Sequence, residues 1–372
     1  MSWKHIFGQD RPKRLLHAAW RSNRVPGAYL LYGMEGIGKD ALAMEFARLV
    51  NCEHPTDDGA CGECSACHRI ASMQHPNVKF ICALPLGKNE DARKDDPIAK
   101  LDADTLEAVR EELELKWRDP YHVISIPRAN EIKMSSVRDI KKELSLSTGG
   151  GTRVVIISRA EMMSDESQNA LLKTLEEPPK NCVFVLTTSN RDRLQSTVRS
   201  RCQPLRCDSL PEEMIVDALI ERDQIPAETA AVCAELGGGS FGLARKYADE
   251  EFATARKKAV DFLRTIAVNN VQALYSQLDE LSHVRDKAVV EQFLLILLYW
   301  FRDAEVLRLG GRVNAHLAEG SEALQRFVGH YPAARYDEAV RLVELTASDV
   351  RRNANVFLAM RVLSSSLKTA LG

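Results

Sequence analysis

The feature that most constrains the fold of this chain is a glycine-rich turn between a short apolar segment and an amphipathic one. The turn, GMEGIGKD at 33–40, matches the phosphate-binding loop G-x-x-x-x-G-K up to its last position. Residues 28–32, AYLLY, have the composition of a buried strand, and residues 41–49 carry apolar side chains in helical register. Strand, glycine-rich loop and helix in this order are what a phosphate loop requires. The sequence therefore predicts a parallel α/β domain built around this loop.

The loop keeps the residues that contact phosphate but lacks the one that holds a metal. Gly33, Gly36 and Gly38 allow backbone N–H groups to surround a phosphate, and Lys39 can neutralise one of its oxygens. Asp40 stands where Ser or Thr would offer a hydroxyl to Mg²⁺. A carboxylate there could ligate the metal directly, or it could repel the phosphates. The loop by itself therefore leaves nucleotide binding open, and ATP is a doubtful ligand.

A second position decides against ATP hydrolysis. The apolar segment RVVII at 153–157 runs into Ser158 and Arg159, where an ATPase of this architecture carries Asp and Glu. A serine hydroxyl cannot replace a carboxylate that organises the waters of the metal. An arginine is permanently protonated, so it cannot polarise an attacking water as glutamate would. We therefore predict a chain without intrinsic ATPase activity, with an ATPase of unusual metal ligation as the alternative.

Four of the nine cysteines form a cluster with the spacing C-x₈-C-x₂-C-x₂-C, namely Cys52, Cys61, Cys64 and Cys67. Two C-x-x-C steps and one more distant cysteine are typical of tetrahedral zinc–thiolate sites. Four protein ligands leave no open position on the metal, so we predict structural zinc. The clustering favours a metal site in a reducing compartment over a disulfide framework. Unliganded thiols and an iron–sulfur cluster are the alternatives.

Strands and helices alternate over the first part of the chain, which indicates a parallel sheet. The predicted strands are 28–32, 78–83, 123–126, 153–157 and 182–187. A helix is predicted over 165–177, where the segment NALLKTLEEPP ends abruptly at two prolines. The charged stretch 84–118 is predicted to be an insertion or mobile excursion with a helix within 104–117.

Beyond residue 206 no further strands are predicted. We expect three domains: an α/β domain at 1–206, a small helical lid at 207–248 and a helical domain at 249–372.

Composition excludes several classes of protein. The formal net charge is −2, from 50 basic and 52 acidic side chains, which argues against a globally basic nucleic-acid coat but not against a local basic patch. The longest apolar run, 293–301, is far shorter than the roughly 20 residues of a membrane span. The first residues contain no apolar signal segment, so we expect a cytoplasmic protein.

Several features together resemble the bacterial clamp-loader family over about residues 1–206. They are Gly8–Gln9, the phosphate loop, the four-cysteine insert, the LLKTLEEPP helix and Ser200-Arg201-Cys202. The loss of catalytic groups resembles the non-catalytic subunit of that family rather than its gamma/tau ATPase. Gly242 stands where an active member would place a second sensor arginine, which makes a third lost group. The charged stretch 84–118 departs from the family pattern.

The resemblance implies an AAA+-type domain with a zinc module at about 52–67, a helical lid and an oligomerising helical collar. It implies a stator subunit of a five-membered ring that uses ATP to place the sliding clamp on primer-template DNA. The partners would be gamma/tau-type ATPase subunits and a delta subunit. Arg201, which is expected after the last strand of the sheet, would serve as an arginine finger in trans.

Two other functions compete with this interpretation. One is an active gamma/tau-type ATPase subunit. The other is a stand-alone nucleic-acid-binding protein built on the zinc module, against which the near-neutral charge argues.

Overall fold

The computed structural model describes residues 3–145, 150–284, 287–311, 321–352 and 354–372. The chain divides into two compact units. One comprises Met1–Ala218 with Gly237–Ala244, and the other comprises Leu219–Leu236 with Arg245–Gly372. The expected domain boundaries at 206 and 248 stay predictions.

The first unit is built on a sheet of five parallel strands. They are β1 (Ala28–Tyr32), β2 (Val78–Ile81), β3 (Arg153–Ile157), β4 (Cys182–Thr188) and β5 (Gln203–Arg206). Their order across the sheet is β2-β3-β4-β1-β5. Every residue of β4 is buried, as a parallel strand covered on both faces requires. This sheet confirms the predicted parallel α/β fold class.

Helices connect these strands. They are α1 (Asp10–Arg21), α2 (Lys39–Asn51), α3 (Ser65–Ala71), α4 (Ala103–Arg118), α5 (Met134–Ser145), α6 (Asp165–Glu176) and α7 (Ser196–Arg199). Residues at both ends of α6 determine where this helix begins and ends. The hydroxyl of Ser164 accepts a hydrogen bond from the N–H of Ser167 and caps the first turn, and two prolines stop the last. Leu171 and Leu175 of α6 pack with Phe184 of β4 in the core of the unit.

The strand predictions fail at two places. Residues 123–126 are not a strand, because the N–H of Ser125 donates to the carboxylate of Glu112 at 2.8 Å instead of to a neighbouring strand. Conversely, β5 was not predicted, because Leu205 is its one buried residue and the pattern is weak. Since β5 follows Arg201, the expectation that this arginine comes after the last strand is also wrong.

The charged stretch 84–118 is packed against the first unit through buried contacts. The predicted helix within it is confirmed as α4. Glu90 and Lys133 form an ion pair at 2.6 Å, and both side chains are fully buried. At the end of α4, the ring of Trp117 lies edge-on to that of Phe80 on β2, with 6.2 Å between the ring centroids. These contacts bring the last turn of α4 to the sheet.

The second unit is helical. It contains α9 (Ala227–Gly237) up to Leu236, α11 (Glu250–Ala267), α12 (Val271–His283), α13 (Lys287–Arg308), α14 (Ser321–His330), α15 (Tyr336–Arg351) and α16 (Val356–Leu371). The helices α8 (Glu212–Asp223) and α10 (Phe241–Tyr247) begin in the first unit and end in the second. Phe262, Phe293, Phe301 and Tyr336 are among the large side chains of its core. The prediction of a mostly helical C-terminal part is confirmed. Among the described residues, no helix combines the length and apolarity of a membrane span.

Candidate functional site

A cavity of about 320 Å³ opens at the carboxyl ends of β1, β2, β3 and β4. This is the edge of a parallel sheet at which ligands bind. The phosphate loop forms one wall, with Gly36, Gly38 and Lys39 among the lining residues. The Nζ of Lys39 donates to the carbonyl of Gly33 at 2.8 Å and to that of Met34. Burial lowers the pKa of Lys39, and the nearby Asp40 carboxylate opposes that shift.

Gly38 has to be glycine for two reasons. Its φ of 97° lies in the left-handed region, and a Cβ there would come within 2.9 Å of the Tyr121 ring. The phosphate loop is also covered at Gly36, whose carbonyl accepts from the N–H of Gly242 at 2.9 Å. A Cβ on Gly242 would lie 2.9 Å from the Cα of Gly36. An arginine does not fit at position 242 in this arrangement.

The carboxylate of Asp40 is held by three side chains at the bottom of the cavity. The Nζ of Lys116, from the last turn of α4, lies 3.0 Å from Oδ2. The hydroxyl of Ser158 donates to the same oxygen at 2.8 Å, and that of Thr187 donates to Oδ1 at 2.7 Å. Burial raises the pKa of Asp40, but the Lys116 ammonium and the two hydroxyls outweigh it and leave the pKa below its ordinary value. Asp40 is therefore an ionised carboxylate with three side-chain partners.

Lys116 also has three partners. Its side chain is 4% exposed, and its Nζ also donates to the carbonyls of Pro120 at 2.8 Å and His122 at 2.7 Å. An ammonium has three N–H donors, so all of them are used. The Mg²⁺ ion that a phosphate-loop fold implies does not fit this site, because the Lys116 ammonium already neutralises the Asp40 carboxylate at 3.0 Å.

Arg159 takes the place of a water-activating carboxylate. Its backbone N–H donates to the Thr187 hydroxyl at 3.2 Å, and its guanidinium lies 4.0 Å from Glu35 at the rim of the phosphate loop. Both side chains are about two-fifths exposed, at 43% and 41%. A cation beside the phosphates can attract an anion but cannot remove a proton from water. At the end of β3 the cavity therefore carries a cation instead of a carboxylate.

The four-cysteine cluster forms a separate site between the end of α2 and the start of α3. The Sγ atoms of Cys52, Cys61, Cys64 and Cys67 all lie within 4.8 Å of one another. The sulfur of Cys52 lies 3.4 Å from that of Cys61 and 3.9 Å from that of Cys64. The sulfurs of Cys61 and Cys67 are 4.0 Å apart. A tetrahedral metal with bonds to sulfur of about 2.3 Å would separate its sulfurs by roughly 3.8 Å. The cluster therefore fits a tetrahedral thiolate-bound metal ion.

Backbone N–H groups favour the thiolate form of Cys61, whereas burial raises the pKa of Cys52 and Cys67. The N–H of Cys61 donates to the sulfur of Cys52, and the N–H of Cys64 donates to that of Cys61. The backbone N–H groups of Glu63 and Cys64 lower the pKa of Cys61 to about 6. A thiolate is the form that binds a metal. The cluster could thus hold a metal ion with all four positions filled by protein.

Arg201 lies away from the cavity, between α7 and β5. It does not belong to the described residues that line the cavity. Its guanidinium forms an ion pair with Glu176, the last residue of α6, and donates to the carbonyl of Thr197 at 2.8 Å. The side chains of Arg201 and Glu176 are 30% and 48% exposed. This arginine is therefore held in place at the surface by one carboxylate.

Two participants were missed by sequence reasoning. Lys116 had a possible signal, since a carboxylate at the buried position 40 requires a cation nearby. Glu176 was recognised as an exposed acid of the LLKTLEEPP helix, but nothing local to the sequence links it to Arg201. The structure brings Lys39, Asp40 and Ser158 together, and it keeps Arg201 and the four-cysteine cluster apart from them.

Comparison with known proteins identifies the family. A family model described as DNA polymerase III, delta subunit, matches residues 8–211, which is more than half of the 372 residues. The chain is 27% identical to the DNA polymerase III subunit delta' of Bacillus subtilis over 316 residues, which cover 83% of this chain and 81% of that protein. It is 28% identical to the subunit tau of the same organism over 234 residues, or 62% of this chain and 34% of that protein.

One solved structure is also similar to this chain. The gamma subunit-related protein of DNA polymerase III from Thermotoga maritima is 16% identical, with a TM-score of 0.45, over 96% of this chain and 99% of that one. The chain spans about a third of the tau subunit that it matches. Because the family model matches the sheet, the phosphate loop, the cysteine cluster and the segment around Arg201, this chain belongs to the clamp-loader family of DNA polymerase III.

Proposed function

We propose that this protein is a non-catalytic, delta-prime-type stator subunit of the DNA polymerase III clamp loader. In this role it supports ATP-dependent loading of the sliding clamp onto primed DNA without hydrolysing ATP itself. One observation carries the proposal: Asp40, at the metal-binding position of the phosphate loop, is paired with Lys116 inside the protein. A site whose metal ligand is already neutralised lacks the ion that phosphoryl transfer needs.

The surroundings of Asp40 support the same conclusion. Ser158 donates a hydrogen bond where a catalytic carboxylate would accept one, and Arg159 is a cation where a base is needed. Lys39 is turned back onto loop carbonyls. Gly242 packs directly on Gly36, so this position offers no side chain to a phosphate. Four functions of an ATPase site, namely metal binding, water activation, phosphate neutralisation and phosphate sensing, are thus altered or missing.

We further propose that Arg201 acts as an arginine finger on ATP held by a neighbouring gamma/tau-type subunit. The guanidinium is partly exposed and is held by Glu176 and a backbone carbonyl, so it is oriented before any partner arrives. A pre-oriented guanidinium stabilises the charge that develops on a phosphoryl group during transfer. This contribution does not require an active site in the donating subunit.

The remaining parts of the molecule fit a subunit of a ring. We propose that the cysteine cluster holds structural zinc, since four thiolates fill a tetrahedral shell and leave no site for substrate. We propose that 207–248 form a lid and 249–372 a collar through which the subunit assembles in the cytoplasm. Its partners would be gamma/tau-type subunits, a delta subunit, the clamp and primer-template DNA.

The second candidate is an active gamma/tau-type ATPase subunit, which the 28% identity to tau favours. The two candidates separate in an assay of the isolated chain with ATP and Mg²⁺. We expect no turnover above that of the Lys39→Ala variant, because the site lacks a metal ligand and a base. Turnover that the Lys39→Ala substitution abolishes would establish the second candidate and overturn the first.

A further inference from the structure

We propose that the ammonium of Lys116 replaces the divalent cation of the phosphate-loop site, so that the charged stretch 84–118 supplies this site with its cation. The nitrogen of Lys116 is surrounded by oxygen atoms: Asp40 Oδ2 at 3.0 Å, Pro120 O at 2.8 Å and His122 O at 2.7 Å. A carboxylate with two carbonyls is a ligand set of the kind that holds a hard cation in proteins. The inference concerns the isolated chain and does not depend on the proposed role in a ring.

The positions of these groups make the replacement specific. Asp40 is the phosphate-loop residue whose side chain would contact Mg²⁺. Ser158 and Thr187 follow or end the two neighbouring strands, where groups that organise the metal and its waters stand in such a site, and both donate to Asp40. The ammonium therefore lies within the constellation that would otherwise be organised by the metal.

Charge balance also favours a resident cation. Asp40 is 17% exposed and ionised, and an unpaired carboxylate at such a site would be costly. The other charged groups that face the cavity are Lys39, Glu35 and Arg159. Lys39 donates to loop carbonyls, and Arg159 lies nearer the rim, 4.0 Å from Glu35. Lys116 is thus the cation in direct contact with Asp40.

The fold holds Lys116 firmly in place. Trp117, the next residue, is 6% exposed and packs edge-on against Phe80 of β2. Near the start of the same stretch, Glu90 forms a buried ion pair with Lys133, which fixes the opening loop. A metal ion could enter only by displacing an ammonium that uses all three of its donors. The role of the charged stretch, which departs from the family pattern, is thus to supply the cation of this site.

The test removes the ammonium and asks whether a metal ion substitutes for it. Lys116→Ala leaves Asp40 without its cation, so we expect its melting temperature to fall by on the order of 10 °C. Millimolar Ca²⁺ or Mg²⁺ should restore at least half of that loss, whereas neither ion should shift the melting temperature of the wild type. Rescue should be absent from Lys116→Ala combined with Asp40→Asn, which lacks the carboxylate. Lys94→Ala, at an ion pair whose lysine is 78% exposed, is the matched control.

Two results would overturn the inference. One is a folded Lys116→Ala protein that neither ion stabilises. The other is binding of Mn²⁺ to the wild-type chain, measured by electron paramagnetic resonance, that disappears on Asp40→Asn substitution. The second measurement needs no lysine variant, so it decides the question even when Lys116→Ala does not fold.

Discussion

The phosphate-loop site and the Arg201 surface both set a basic side chain against a carboxylate, but the two pairs differ in burial and in partners. The side chains of Lys116 and Asp40 are 4% and 17% exposed, and every donor of the lysine is used. Those of Arg201 and Glu176 are 30% and 48% exposed. An enclosed pair cannot exchange partners without a large penalty, whereas an exposed pair can. The first arrangement closes a site, and the second keeps an arginine available to an outside ligand.

The largest loss of stability is expected at the cysteine cluster, because a bound metal would link its four side chains. We expect removal of the metal by a chelator, or Cys64→Ser, to unfold the module around 52–67, since metal-binding energy is folding energy at such a site. The measurement is the melting temperature with and without chelator, together with the metal content. Cys82→Ser, at a buried cysteine outside the cluster, controls for the loss of a thiol. An unchanged melting temperature would refute a structural metal.

Neutralising the acid of each ion pair compares the two regions directly. Asp40→Asn should lower the free energy of unfolding by about 3 kcal/mol, because it leaves the buried Lys116 without a counter-charge. Glu176→Gln should lower it by less than about 1 kcal/mol, because the pair of Glu176 and Arg201 faces solvent. Denaturant unfolding of both variants gives the two values. Equal losses would show that the contrast in burial has no energetic consequence.

Acid should remove the contribution of Asp40. Its pKa in the folded protein lies below the ordinary value of 3.8, so its stabilising effect is present above that value and is lost as the pH falls through the folded pKa. The difference in unfolding free energy between wild type and Asp40→Asn should stay constant from neutral pH to about 4 and shrink below it. A difference that already declines near neutral pH would contradict a lowered pKa.

The smallest effect is expected for Glu176→Gln on the turnover of a reconstituted ring. Glu176 holds the Arg201 guanidinium in its orientation, so weakening this pair should lower turnover by about twofold, in line with the small strength of exposed ion pairs. Steady-state ATP turnover with clamp and primed DNA measures it. An increase in turnover would show that Glu176 competes with phosphate for the arginine instead of positioning it.

Local patterns allowed much of the fold and part of the site to be predicted. The strand at 28–32, the phosphate loop and the capped helix that stops before Pro178 each depend on neighbouring residues, and all appear in the structure. The cysteine spacing likewise predicted a cluster, because its four ligands lie close along the chain.

Long-range contacts could not be predicted in the same way. The pairing of Lys116 with Asp40 depends on how 84–118 folds back onto the sheet, which no local pattern specifies. The apolar residues at 123–126 favour a strand, but the nearby Glu112 carboxylate takes a backbone donor that a strand would need. The edge strand β5 carries too few buried residues to produce an alternating pattern.

The account is tested most directly by the ATP turnover of a ring reconstituted from this chain, gamma/tau-type subunits, a delta subunit and the clamp. Arg201→Ala should slow the ATP site that this arginine serves by about 10³-fold or more, and Arg201→Lys should restore little of it, because lysine lacks the planar fork. Lys39→Ala in the same chain should leave turnover unchanged. If Lys39→Ala abolishes part of the turnover while Arg201→Ala has no effect, this subunit hydrolyses ATP itself and the account is wrong.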